Sequence, residues 1–281
     1  KAVLAAAAPK TIIHYFPVGA EGVVQLTPEL PWASVGLVSL MLANNETGAI
    51  QPVAEVAQSA RAAGVPLHCD AVQAFGRIPI VATELGVDLI SVSAHKIGGP
   101  KGVGALIVRP GLKLVPIIRG GSHENGHRAG THNVPGIVGF GEAAQWAHRD
   151  LAYYQLHTST LRDTLLAGLR GALPDLILLS ETAPRLPNTL LIAFPGCQTQ
   201  TLLAGFDLAG VAAGAGAACA AGGVDPSHVV KAMCLPDELA RAVVRFSLGR
   251  ETTATQVTEA ISLISQVVKG QRCPRRSIYS D

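Results

Sequence analysis

Charge is scarce in this chain. Asp, Glu, Lys and Arg make up 15% of its 281 residues and leave a formal net charge of +2. So small an excess offers no electrostatic case for binding nucleic acid, and the single basic cluster, Lys269 to Arg276, reads as a solvated tail. Long apolar runs are missing too. Stretches such as Val35 to Ala43 fall far short of the roughly 20 residues that cross a bilayer, so no membrane span is expected. Cysteine is sparse: five residues, no closely spaced CxxC pair and no secretory segment. That pattern excludes a paired zinc or redox motif and points to a reducing, cytoplasmic compartment. No internal repeat stands out beyond a general richness in alanine and glycine. What is abundant is apolar character, 48% of the chain, enough to bury a large core and to divide into two domains.

The strand and helix signals alternate. Apolar, non-alternating runs at Gly36 to Leu42, Val65 to Cys69, Asp88 to Ser93 and Val103 to Val108 read as strands of a sheet covered by helices on both faces, with a helix near Val53 to Ala63. A long helical stretch follows Pro135 to about Leu173, hinged near its middle. Beyond it, strands at Leu176 to Leu179, Thr189 to Phe194 and Ala242 to Leu248 alternate with helices at Thr199 to Leu208 and Thr253 to Val268. The expected division is a larger cofactor-binding domain over residues 1–145 and a smaller α/β domain over 146–281.

Ser93-Ala94-His95-Lys96 carries the first chemical signal. It stands where a strand ends and a Gly/Pro-rich loop, Gly98 to Gly104, begins. A lysine held in apolar surroundings there has its charged form disfavoured and can act as an amine nucleophile toward a carbonyl; a lysine that snorkels to water explains the same residue. Asp70, after the apolar stretch Pro66 to Cys69, would end another strand, with Gln73 one helical turn on. Taken singly it also suits a helix cap or a turn. Pyridoxal phosphate requires an amine, a carboxylate for its pyridine nitrogen and donors for its phosphate. Lys96, Asp70 and the Ser93/His95 pair could supply all three.

A competing motif is His123-Glu124-Asn125-Gly126-His127, which satisfies H-E-x-x-H. Zinc binding by it needs a helix, so that both histidines share a face. Gly120-Gly121 before it, Gly126 within it and Gly130 and Pro135 after it all disfavour helix, so no metal site is expected.

Six motifs occur in one order: Asn44-Asn45-Glu46-Thr47-Gly48, His68-Cys69-Asp70-Ala71-Val72-Gln73, Ser93 to Gly102, Arg128-Ala129-Gly130-Thr131, Gly216-Ala217-Ala218-Cys219 and Arg245 to Arg250. Together they resemble the class V aminotransferase-type cysteine desulfurases, and within them the group that serves nitrogenase and general iron–sulfur assembly. The resemblance implies the fold type I of pyridoxal-phosphate-dependent transferases, an α/β architecture with a mostly parallel seven-stranded-type sheet and a smaller C-terminal α/β domain. It implies that Lys96 bonds to the cofactor and carries protons at the substrate α-carbon. Asp70 would pair with the pyridine nitrogen, and Gln73 would donate to the phenolic oxygen. Ser93 and His95 would bind the phosphate, and Thr131 would reach the phosphate of a neighbouring subunit in a homodimer. Asn45 and Arg245 would hold the L-cysteine substrate, the arginine through its carboxylate.

Cys219 selects among pyridoxal chemistries, since in this family such a thiol takes the substrate sulfur as a persulfide and leaves alanine. The small residues from Ala212 to Gly223 suit a loop that must carry a reachable thiolate. Cys69, Cys197, Cys234 on an expected helix and Cys273 have no such role. A persulfide must be handed on, which implies an acceptor such as an iron–sulfur scaffold protein. Selenocysteine lyase uses the same machinery and stays open, as does a remnant with only a binding role. The chain starts at Lys1-Ala2-Val3-Leu4 in what looks like the middle of the family sequence. On the order of a hundred residues of a complete two-domain fold are then missing, among them a phosphate loop and a ring-stacking histidine. Weak cofactor binding and little activity are the expectation for the chain alone.

Overall fold

The computed structural model describes residues 11–27, 30–216 and 225–272. They divide into two compact units: residues 11–14, 30–42 and 52–151, and residues 15–27, 43–51, 152–216 and 225–272. No helix among the described residues is long and apolar enough to cross a membrane.

The first unit is built on a four-stranded sheet in the order β1 (Val38–Met41), β2 (Leu67–Asp70), β3 (Leu89–Ser93) and β4 (Gly104–Val108). The first three strands are parallel and in register, with Met41 opposite Asp70 and Asp70 opposite Ser91, whereas β4 returns antiparallel. Helix α1 (Val53–Ala62) joins β1 to β2 and buries Val53, Val56, Ala57 and Ala60, the i, i+3, i+4, i+7 stripe of an amphipathic helix. Gly64 ends it in the left-handed region, where Val65 N–H bonds back to Ala60 O and Val65 is buried. The short helix α2 (Ala82–Leu85) precedes β3.

One expectation is corrected here. The strands β1 and β2 alternate in burial, where the sequence pattern suggests non-alternating strands. Val38, Leu40, Leu67, Cys69, Ile90 and Val92 are buried on one face; Ser39, Met41, His68, Asp70, Ser91 and Ser93 occupy the other and stay partly open. The helical stretch after residue 133 is two helices, α3 (Val134–Arg149) and α4 (Leu151–Ala172), separated at Asp150. The side chain of Asn133 caps α3 by accepting Gly136 N–H, with Pro135 in the first turn.

The second unit holds an antiparallel sheet in the order β5 (Ile177–Leu178), β6 (Thr189–Ala193) and β7 (Val243–Ser247). Helices α5 (Thr199–Leu208), α6 (His228–Ala232), α7 (Asp237–Ala240) and α8 (Ala254–Arg272) accompany it. Every residue of β6 is buried. Leu190 and Ile192 join Phe194, Phe206 and Phe246 in one core, while Leu191 and Ala193 meet Val230, Met233 and Val243 in a second. The three phenylalanine rings are mutually in contact, with centroids 5.9 to 6.4 Å apart. Cys234 is not helical: it lies beyond α6 at φ 58.

Candidate active site

The carboxyl ends of β2 and β3 in the first unit bring together the residues whose chemistry is most specific. Asp70 is the last residue of β2 and its Oδ1 accepts the N–H of Val72 at 3.0 Å, an Asx turn that fixes the carboxylate. On the neighbouring strand, Ser93 ends β3 and stands just before a 3-10 turn, Ala94–Ile97, that Gly98 closes at φ 84. Lys96 sits in that turn, half-buried. Parallel register therefore delivers a carboxylate and an amine to the same edge of adjacent strands, the place where open α/β sheets bind ligands. Ser93 Oγ and His95 Nδ1 are 2.8 Å apart, with the donor set by the imidazole tautomer.

Two further side chains frame this edge. Gln73 follows Asp70, and Arg77 donates from Nη1 to Gln73 Oε1 at 2.5 Å and to Gln73 O at 2.8 Å, with Nη2 reaching Lys96 O at 3.5 Å. One pleat behind Asp70, His68 lies between two hydroxyls, Ser39 Oγ at 2.8 Å from Nδ1 and Ser91 Oγ at 2.7 Å from Nε2. Burial lowers the His68 pKa from its ordinary value, and the Asp70 carboxylate opposes that shift. Cys69 points to the opposite, buried face. Burial there, with Asp70 adding, pushes its thiol up to about 12, so at neutral pH it is not a thiolate and stays inert.

The second unit brings Asn45 and Arg245 together. Asn44 Oδ1 accepts the N–H groups of Glu46 and Thr47 at 2.8 and 3.0 Å, which folds the Asn44–Gly48 segment into a tight turn. Arg245, on β7, donates from Nη1 to Asn45 O at 2.7 Å and to Gly216 O at 3.0 Å. Glu46 is 1% exposed and accepts the Ser227 hydroxyl at 2.8 Å. A Cβ on Gly216, whose φ is 36, would sit 2.5 Å from Glu46 Oε2, so a side chain there would be strained and would displace the carboxylate. Ser227 also caps α6 through Val229 N–H. Glu46, Ser227, Arg77, His68, Ser39 and Ser91 were given no role from sequence. Glu46 and His68 stand inside motifs that were noted for Asn45 and for Asp70 and Gln73, whereas nothing local marks the others.

Thr131 lies exposed on the loop before α3, in the first unit. Cys219 and Cys273 lie outside the described residues. The H-E-x-x-H segment is a 3-10 turn, His123–Gly126, in which Glu124 and Asn125 adopt left-handed φ values of 52 and 54. Its histidines therefore lack the shared helical face that zinc requires. Glu124 instead meets His132 Nε2 at 3.2 Å, and among the described residues no group of three His, Cys, Asp or Glu could hold a metal.

Comparison with known proteins adds to this geometry. The family model described as aminotransferase class-V matches residues 2–259. A protein of Cereibacter sphaeroides named cysteine desulfurase is 43% identical over 258 residues, covering 91% of this chain and 66% of its own length. One of Azotobacter vinelandii, named cysteine desulfurase NifS, is 39% identical over 258 residues, covering 91% and 64%. The solved structure of a NifS-like protein from Rickettsia africae superposes with a TM-score of 0.83 at 33% identity, over 90% of this chain and 69% of that one. The chain thus spans just under two thirds of the length of these curated relatives.

Proposed function

From the fact that this chain belongs to the aminotransferase class-V family, we propose that it is a pyridoxal-phosphate-dependent cysteine desulfurase, which converts L-cysteine to L-alanine and passes the sulfur on as an enzyme persulfide. The observation that carries this reading is the delivery of Asp70 and Lys96 to the carboxyl ends of adjacent parallel strands. The donor set suits the cofactor: a carboxylate for a cationic ring nitrogen, a primary amine for an aldehyde, and Gln73, Ser93 and His95 as hydrogen-bonding groups. When bound, pyridoxal phosphate supplies an electron-withdrawing ring that stabilises negative charge at the substrate α-carbon.

The chain's own residues do the rest. Asp70, held by Val72 N–H, keeps a cationic partner in place. Lys96 would bond to the cofactor's aldehyde and would move a proton at the substrate α-carbon. Gln73 would donate to the phenolic oxygen, Ser93 and His95 would bind the phosphate, and Thr131 would serve the phosphate of a second copy in a homodimer. Asn45 and Arg245 position the amino-acid substrate. Cys219 takes the sulfur as the carbon–sulfur bond breaks, then yields it to an acceptor such as an iron–sulfur scaffold protein. We assign residues 1–145 to the cofactor-binding domain and 146–281 to the domain that carries Cys219 and Arg245, and place the protein in the reducing cytoplasm, where a persulfide survives.

An absorbance scan of the chain titrated with pyridoxal phosphate, before and after borohydride, tests the cofactor. A visible band that needs high cofactor concentration, and that reduction fixes to Lys96, is expected. Turnover by the chain alone is expected to be small; whatever alanine and sulfide it forms from L-cysteine, lost in Cys219→Ala with the band intact, tests the reaction. No band at saturating cofactor, or full sulfide release by Cys219→Ala, overturns the assignment.

A further inference from the structure

The amide of Gln73 can face its surroundings in two ways, and the structure contains a device that permits only one. Arg77 lies four residues further on and places Nη1 2.5 Å from Gln73 Oε1 and 2.8 Å from Gln73 O. A guanidinium carries donors and no acceptor, so the amide edge turned toward it must be the carbonyl oxygen. This conclusion rests on chemistry rather than on any distinction between the two amide atoms. The N–H2 edge is thereby directed away from Arg77, and the side chain becomes a pure donor toward whatever it meets. Charge assistance makes the contact stronger than one between neutral groups.

Packing keeps Arg77 in place. Its own N–H bonds to Ala74 O at 2.9 Å, and Ala71 and Ala74 are fully buried. Gly76, at φ 72, approaches the lysine-bearing turn so closely that a Cβ would lie 2.7 Å from Ile97 Cγ2 and 3.0 Å from Ala147 Cβ. The segment after Asp70 and the turn that carries Lys96 are thus held against each other. Across that contact, Arg77 Nη2 reaches Lys96 O at 3.5 Å, the outer edge of hydrogen-bonding range.

We propose that Arg77 is a positioning residue of the cofactor site: it locks the Gln73 amide so that only its N–H2 edge is offered to the phenolic oxygen of the cofactor, and it ties that orientation to the backbone of Lys96. The inference rests on the cofactor reading given above, from which the role of Gln73 is taken. Without Arg77 the amide would be free to flip, and in one of its two orientations an oxygen would face an oxygen. The guanidinium also brings a fixed positive charge to the edge that faces a phenolate.

The test compares Arg77→Met, which keeps the aliphatic stem, Arg77→Lys, which keeps a cationic donor, Gln73→Ala and the double variant Gln73→Ala/Arg77→Met. Side-chain amide signals in ¹H–¹⁵N spectra of the cofactor-free chain come first, with Gln73 assigned by its loss in Gln73→Ala. Arg77→Met is expected to move the Gln73 pair toward the position of a solvated amide, and Arg77→Lys to retain it. Titration with pyridoxal phosphate comes second. Arg77→Met is expected to bind about tenfold more weakly and to shift the pH at which the visible band titrates, with Arg77→Lys restoring most of both. The double variant should match Gln73→Ala, because two residues acting through one contact are not additive. Unmoved amide signals in Arg77→Met, or additive losses in the double variant, overturn the proposal. If the wild-type chain develops no cofactor band, the cofactor reading is what fails, and the amide signals alone decide whether Arg77 orients Gln73.

Discussion

The two sheets of this protein use apolar residues in opposite ways. In the second unit β6 is buried along its whole length, and Leu190, Leu191, Ile192 and Ala193 alternate between two cores without a polar side chain among them. In the first unit β1 and β2 bury every second residue, and the other face carries Ser39, His68, Asp70 and, from β3, Ser91 and Ser93. A strand packed on both sides can only hold the fold together. A strand with one open face can present a carboxylate and hydroxyls at its carboxyl end while the buried face anchors them. The difference teaches where to seek chemistry in a chain this rich in alanine, leucine and valine: at the polar rows of the half-open sheet.

Substitutions on the two sides should separate cleanly. The largest effect is expected from Lys96→Ala, which removes the amine while leaving a half-buried turn intact; borohydride should then fix no cofactor at all, and the thermal midpoint should hardly move. Phe206→Ala should do the reverse. Removing a fully buried ring that touches Phe194 and Phe246 should cost about 3 to 5 kcal/mol in denaturant unfolding, with the cofactor spectrum of the surviving folded protein unchanged. A cofactor band lost in Phe206→Ala at temperatures where it stays folded would break the comparison.

A middle case is Ser227→Ala. It removes both a cap of α6 and the hydroxyl donated to the buried Glu46 carboxylate, and about 1 to 3 kcal/mol of destabilisation is expected. Denaturation midpoints check it; a value near zero would mean that water replaces the hydroxyl without loss.

The smallest effect is a pH dependence. The His68 pKa lies below its ordinary 6.5 because of burial. The unfolded chain therefore binds more protons than the native one between the native pKa and 6.5. Stability should fall as pH drops through that window and level off below it. His68→Asn should flatten this part of the curve, and a curve equally steep in the variant would assign the slope to another group.

Much of this was legible from the chain alone, for reasons that are local. Strand and helix positions follow from apolar periodicity, and Thr199–Leu208 was read to its ends. The glycines around His123–His127 were enough to argue against a zinc-binding helix, and the left-handed values at Glu124 and Asn125 accord with that argument. Local pattern also misled. The apolar content of β1 and β2 suggested strands buried on both faces, because composition does not record which residues share a side. Cys234 looked helical, yet its backbone turns left-handed just beyond α6.

By itself the order of residues determined the elements and the motif sequence, with a carboxylate at one strand end and an amine just past another, since each depends on neighbours a few positions away; parallel register brought the two to one edge. Only tertiary structure decided that Cys69 and Asp70 face opposite ways in effect, one silenced by burial and the other presented. It alone set His68 between hydroxyls of two flanking strands, joined Glu46 to Ser227 across 181 positions, and brought Arg77 to the backbone of Lys96. Such contacts join segments that chain-local forces never bring together. They form where burying the apolar faces brings polar groups of distant segments within hydrogen-bonding reach.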